Sequence, residues 1–146
     1  YMRAILNKET GLMDPGAVLS HVTVIEPPAY HKLLIVGDVA VIPLPDLKQK
    51  IAITNYLIKT AHMLGIEKPK VALLAVSEQV LNKIPSCLDA AIIAKMADRG
   101  QIKDAIVEGP LVFEREVKLY VHASARIGDL RGATAVRFDG STPPKD

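Results

Sequence analysis

The sequence has one cysteine and no tryptophan, with only two phenylalanines and four tyrosines among 146 residues. A lone Cys87 cannot close an internal disulfide, so a reducing, cytoplasmic setting is the simpler expectation. With so few aromatics there is no stacking platform for single-stranded nucleic acid. A net charge of +2 from scattered Lys and Arg makes no basic track for a phosphate backbone. No nucleic-acid partner is expected. Long apolar runs are missing as well. The longest, Leu33 to Leu44, is broken by Asp38 and Pro43 and is too short to cross a bilayer. Tyr1-Met2-Arg3-Ala4 shows no apolar stretch of the signal-peptide kind, so a soluble chain without a membrane partner is expected. His31, His62 and His122 lie far apart and share no ligand spacing with Cys87 or a carboxylate pair, so no metal site is expected.

What the chain does have is apolar content and order. Hydrophobic residues make up 49% and charged residues 23%, the balance of a globular chain with one real core. The stretch from Ile84 to Leu111 is the most legible. Ser86 stands three residues before Asp89, the pattern of an N-cap with an acidic third residue, and predicts a helix start. Ala90, Ala91, Ile93, Ala94 and Ala97 give that helix a small-residue face, and Gly100 ends it where a positive φ is usual. Ala105 to Val107 predicts a short buried strand, which Glu108-Gly109-Pro110 would stop.

Upstream, Tyr1 to Leu6 reads as the end of a helix, and Asn7 to Gly16 is a Gly/Pro-punctuated connection. Val18 to Ile25 alternates like a strand closed by Pro27-Pro28, and Leu33 to Val36 is a continuous run typical of a strand buried on both faces. Asp46 and Gln49 form a capping-box pattern. Behind it Leu47, Ile51, Ile58, Ala61 and Leu64 recur at steps near three and four, so one face of a helix ending at Gly65 is core. Val71 to Val76 is a further apolar strand. This alternation predicts a three-layer α/β fold with a mostly parallel sheet and helices on both faces. After Phe113 the character changes. Val117 to Val121 alternates like an edge strand, Arg126 to Asp146 is rich in Gly, Arg and Asp, and 141–146 reads as a frayed tail. Residues 1–113 thus read as the α/β domain and 114–146 as a divergent C-terminal segment.

In such sheets ligands gather at the carboxyl ends of strands, which selects Asp38 and the Glu108, Gly109, Pro110 triplet. Ser20 and His21 are polar residues within a strand, and His21 has no carboxylate partner that the sequence identifies. Asp89 and Arg99 complement helix ends, and Cys87 lacks the partners of a catalytic nucleophile.

Leu88 to Leu111, LDAAIIAKMADRGQIKDAIVEGPL, resembles the segment of phosphate acetyl/butyryltransferases that reads "LDAA…KMADRGQI…VDGPL". AILNKETGL at Ala4 to Leu12, VLSHV at Val18 to Val22 and PDLKQKIAI at Pro45 to Ile53 resemble the butyryltransferase branch in the same order. Ordered matches from Met2 to Phe113 are far more specific than one short motif. The resemblance implies one domain of a fold in which two α/β domains flank a cleft. The implied chemistry is reversible transfer of an acetyl, butyryl or branched short acyl group between coenzyme A and phosphate. Coenzyme A would be a substrate, no prosthetic group would be bound, and a homodimer is left open. Arg3 matches the position of an arginine that holds the acyl phosphate, a task suited to paired guanidinium donors. Ser20, Asp38, Glu108, Gly109 and Pro110 would shape the remainder of the pocket. The family pattern has Asp where Glu108 stands. Its catalytic aspartate and Ser-Arg pair belong to a later segment that residues 114–146 do not match, so no catalytic residue is assigned. A non-catalytic α/β binding or assembly domain is the alternative.

Overall fold

A computed structural model of the chain describes Ile5, Asn7, residues 11–28 and 31–112, and the backbone of 119–120 and 137–138. The fold is α/β. In chain order it runs β1 (Val22–Ile25), β2 (Leu34–Gly37), α1 (Leu47–Met63), β3 (Lys70–Ala75), α2 (Pro85–Asp98), β4 (Ile106–Val112), β5 (Leu119–Tyr120) and β6 (Arg137–Phe138). The parallel pairing anticipated from the alternation is realised in β3–α2–β4, where Val71 stands opposite Val107. β1 and β2 instead pair antiparallel, with Val22 opposite Gly37. Residues 26–33 between them are too few for a crossover, which needs a dozen or more. β5 and β6 form a third, antiparallel pair. Among the described residues β2 and β3 share no ladder.

α1 starts where its capping box predicts. Asp46 Oδ1 accepts the Gln49 backbone N–H at 2.8 Å, and the Asp46 N–H donates to Gln49 Oε1 at 2.9 Å. It closes at Gly65, whose φ of 83° is open to glycine at little cost. Its buried face is Ile53, Thr54, Leu57, Ile58 and Ala61, and these meet Ile35 of β2, Val71 of β3, Ile93 of α2 and Val107 of β4 in one core. Leu47 and Ile51 pack at the margin of this core, but Leu64 falls beyond the helix and is 45% exposed. Thr54 can lie in the core because its hydroxyl donates to the Lys50 carbonyl one turn back.

Two expectations are corrected. α2 begins at Pro85 with Ile84 as its N-cap, and no side chain caps it. Proline at the first helical position has the right φ and lacks the N–H that a cap would satisfy, so Ser86 is pushed one place inside. β4 does not stop at Glu108-Gly109-Pro110 but runs through them to Val112. The register explains this. Ala72 faces Glu108 and Leu74 faces Leu111, so Gly109 and Pro110 together oppose Leu73 in a bulge. A bulge is where a strand tolerates a proline with no N–H to give. Gly109 is required there for a different reason. A Cβ on it would lie 2.7 Å from Leu73 Cβ and 3.2 Å from Ala90 Cβ. Gly109→Ala should therefore destabilise the fold by about 1–3 kcal/mol, the usual range for overpacking, read as a lower urea midpoint at unchanged slope.

Candidate functional site

The end of β2, the first turns of α1 and α2, and the middle of β3 converge on a cleft of about 220 Å³. Its inner wall is apolar, made by Ile53, Leu57, Ala90 and Ile93, while Asp38, Lys50 and Ser86 supply polar groups. Helix first turns and a strand end meet there because helices that follow parallel strands start at the strands' carboxyl side, the side where α/β folds bind ligands.

Asp38 organises one part of the cleft. Its Oδ2 accepts from the Ser20 hydroxyl at 2.9 Å and the His21 N–H at 3.2 Å, and its Oδ1 accepts from the Ala40 and Val41 N–H groups at 2.8 and 2.9 Å. The β1–β2 register sets this up. Val22 opposite Gly37 puts the residues just before β1 beside the residue just after β2. Partial burial acts to raise the Asp38 pKa, but the donors from Val41, Ala40, Ser20 and His21 outweigh it and hold the carboxyl at about 2, below the usual 3.8. Both oxygens are engaged, so Asp38 fixes the loop rather than presenting a free base. Ser20, which donates to Asp38, keeps acceptor lone pairs for another donor. The His21 ring lies 3.1 Å from the Thr23 hydroxyl through Nδ1.

Of the residues selected from sequence, the structure brings Ser20 and Asp38 together. Glu108, Gly109 and Pro110 are placed within β4 instead of in a loop beyond it, because the bulge lets the strand continue. Arg3 lies outside the described residues. Cys87 is fully buried, with its thiol 3.5 Å from the Ser77 carbonyl. Among the described residues no cluster of three or more His, Cys, Asp or Glu could hold a metal ion, and no helix is long and apolar enough to cross a membrane.

Sequence reasoning missed Lys50. Its ammonium pairs with Asp89 at 2.6 Å, with the two side chains 24% and 16% exposed. Asp89 thus ties α2 to α1 instead of capping its own helix. The signal was present. Lys50, Ile53, Thr54 and Leu57 follow the i, i+3, i+4, i+7 spacing of one helix face, which sets a cation on the side that turns inward.

A family model for phosphate acetyl/butaryl transferase matches residues 2–136. The chain belongs to the phosphate acetyl/butaryl transferase family. A phosphate butyryltransferase from Clostridium acetobutylicum is 48% identical over 114 residues, covering 78% of this chain and 38% of that protein. A phosphate acetyltransferase from Thermotoga maritima is 36% identical over 116 residues, covering 80% of this chain and 39% of that protein. A branched-chain phosphotransacylase structure from Enterococcus faecalis matches with a TM-score of 0.64 at 32% identity, over 76% of this chain and 39% of that one. The chain therefore spans about two fifths of the length of these relatives. The family match continues past Phe113, so residues 114–136 fall inside it despite their change in composition.

Two outcomes follow for this family member's cleft. The Asp38 pKa is depressed on folding, so its contribution to stability is complete above about 3.8 and is lost as pH falls towards about 2. Asp38→Asn should lower the urea midpoint at pH 7, and its gap to the unaltered chain should close across that acidic window. Lys50→Ala, Asp89→Ala and the double variant, compared by denaturant unfolding, should give a coupling of about 1 kcal/mol, the upper part of the range for pairs that keep contact with solvent.

Proposed function

We propose that this chain forms one wall of the active-site cleft of a phosphate acyltransferase, which interconverts acyl-CoA plus phosphate with acyl phosphate plus coenzyme A. The observation that carries the reading is the cleft itself. Its rim gathers the Ser20–Asp38 pair at the end of β2 and Lys50 of α1, within a chain whose relatives bear these enzyme names. In the forward direction a phosphate oxygen forms a bond to the thioester carbonyl carbon. The C–S bond breaks, and the thiolate leaves to take up a proton. In reverse, coenzyme A thiolate attacks the acyl phosphate, the C–O bond to phosphate breaks, and phosphate departs. Positioned donors stabilise the charge that develops on the carbonyl and phosphate oxygens. Arg3 serves the phosphate, Ser20 offers a hydroxyl at the rim, and Asp38 holds the loop that presents it. Glu108, Gly109 and Pro110 support the wall from within β4. Acetyl, butyryl or branched short acyl groups are the substrates, free coenzyme A is exchanged rather than kept, and the setting is cytoplasmic. A homodimer would place two such chains together. The second reading is a non-catalytic α/β binding or assembly domain, which fits an Asp38 whose two oxygens are both engaged by donors and which presents no free base.

The test is thiol release from butyryl-CoA and acetyl-CoA in the presence of phosphate. Turnover is expected, and Arg3→Ala should lower it by about a hundredfold or more, as when one transition-state donor is removed. A folded sample that binds coenzyme A without turning over would assign the second reading instead.

A further inference from the structure

Lys50 is a charged side chain placed where packing alone would favour an apolar one. It stands on the inward face of α1, one turn before Ile53 and Thr54, and lines the cleft with them. Its side chain is 24% exposed, and among the described residues its ammonium has one partner, Asp89 Oδ2 at 2.6 Å. An ammonium carries three N–H donors, so two remain for another acceptor. A pair of this kind adds little to stability, because each charge gives up water to form it. The carboxylates nearby are already answered. Asp38 accepts from four donors, and Asp89 is neutralised by Lys50 itself. Ser86 lines the same cleft, with a hydroxyl that does not cap α2. Among the described residues of this cleft, an anion meets spare donors and no unanswered carboxylate.

We propose that Lys50, held in place by Asp89, binds phosphate oxygens in this cleft. The choice of anion rests on the acyl-transfer reading, in which both reactants, phosphate and the acyl-CoA, carry phosphate oxygens. A lysine suits such oxygens as a compact charge whose donors adapt to a tetrahedral anion. The contact with Asp89 fixes the ammonium of α1 against α2, so the long side chain is ordered before any anion arrives. The oxygens come from inorganic phosphate and acyl phosphate, or from the phosphate groups of coenzyme A. Direct binding measurements separate the two sources.

Inorganic phosphate and coenzyme A would be titrated separately into the full 146-residue chain by calorimetry. Lys50→Met is expected to weaken phosphate binding by about tenfold or more, the loss of a charge-assisted hydrogen bond. Lys50→Arg, which keeps the charge, should retain most of the binding, and Lys95→Ala on exposed helix surface should change nothing. Joining Lys50→Met with Asp89→Asn restores the net charge of the unaltered chain, and replacing a whole pair usually costs little stability. Phosphate binding should stay weak in this double variant. Binding at full strength there would reduce the pair to a structural tie and overturn the proposal, as would a chain that binds neither anion. A loss confined to coenzyme A would keep the site and assign it to that molecule's phosphates. Binding is read without turnover, so the two readings fail separately. An inactive chain that still loses phosphate on Lys50→Met overturns acyl transfer alone, and an active one indifferent to Lys50→Met overturns this site alone.

Discussion

The apolar face of α1 is the constraint on which the described structure depends. Among the described residues the β1–β2 hairpin and the β3–α2–β4 unit share no backbone ladder, and side chains relate them. Ile53, Leu57, Ile58 and Ala61 pack against Ile35 from one unit and against Val71, Ile93 and Val107 from the other. Burying each large aliphatic side chain contributes about 1.5–3 kcal/mol, whereas a partly exposed ion pair such as Lys50–Asp89 contributes about 1 kcal/mol or less. Hydrophobic packing therefore holds the two units together, and the ion pair adjusts how the helix starts meet. Any shift of α1 would move Lys50 and the cleft wall with it.

The polar part of the cleft follows a different logic. Asp38 is a carboxylate whose oxygens are met by four donors, three of them backbone N–H groups. Such a group is costly to protonate, and it spreads its charge over a fixed loop. Ser20 is held by that carboxylate at a position where its oxygen can still accept. The cleft thus combines a hydrogen-bonded polar rim with an apolar interior of Ile53, Leu57, Ala90 and Ile93. This is the division expected where a charged reactant must be oriented beside apolar surface.

The sequence by itself determined the local elements and the lineage. The capping box at Asp46 and Gln49, the left-handed glycines at Gly65 and Gly100, and the apolar runs of β2 and β3 are short-range signals that appear within a residue of where the spacing put them, and the start of β4 does too. The ordered motifs from Ala4 to Leu111 named the family, because many matched residues in order are specific where any one is weak. Only the tertiary structure decided which side chains meet. Ser20 finds Asp38 across 18 positions and Lys50 finds Asp89 across 39, contacts produced by strand register and helix packing that no local pattern encodes. It also decided that Glu108, Gly109 and Pro110 stay within β4, since a proline that would end a regular strand is accommodated in a bulge of β4 against Leu73 of the neighbouring strand. Short-range chemistry sets each element's limits to within a few residues. Asp38 meets its partners only through the β1–β2 register, and Lys50 meets Asp89 only once α1 has packed beside α2.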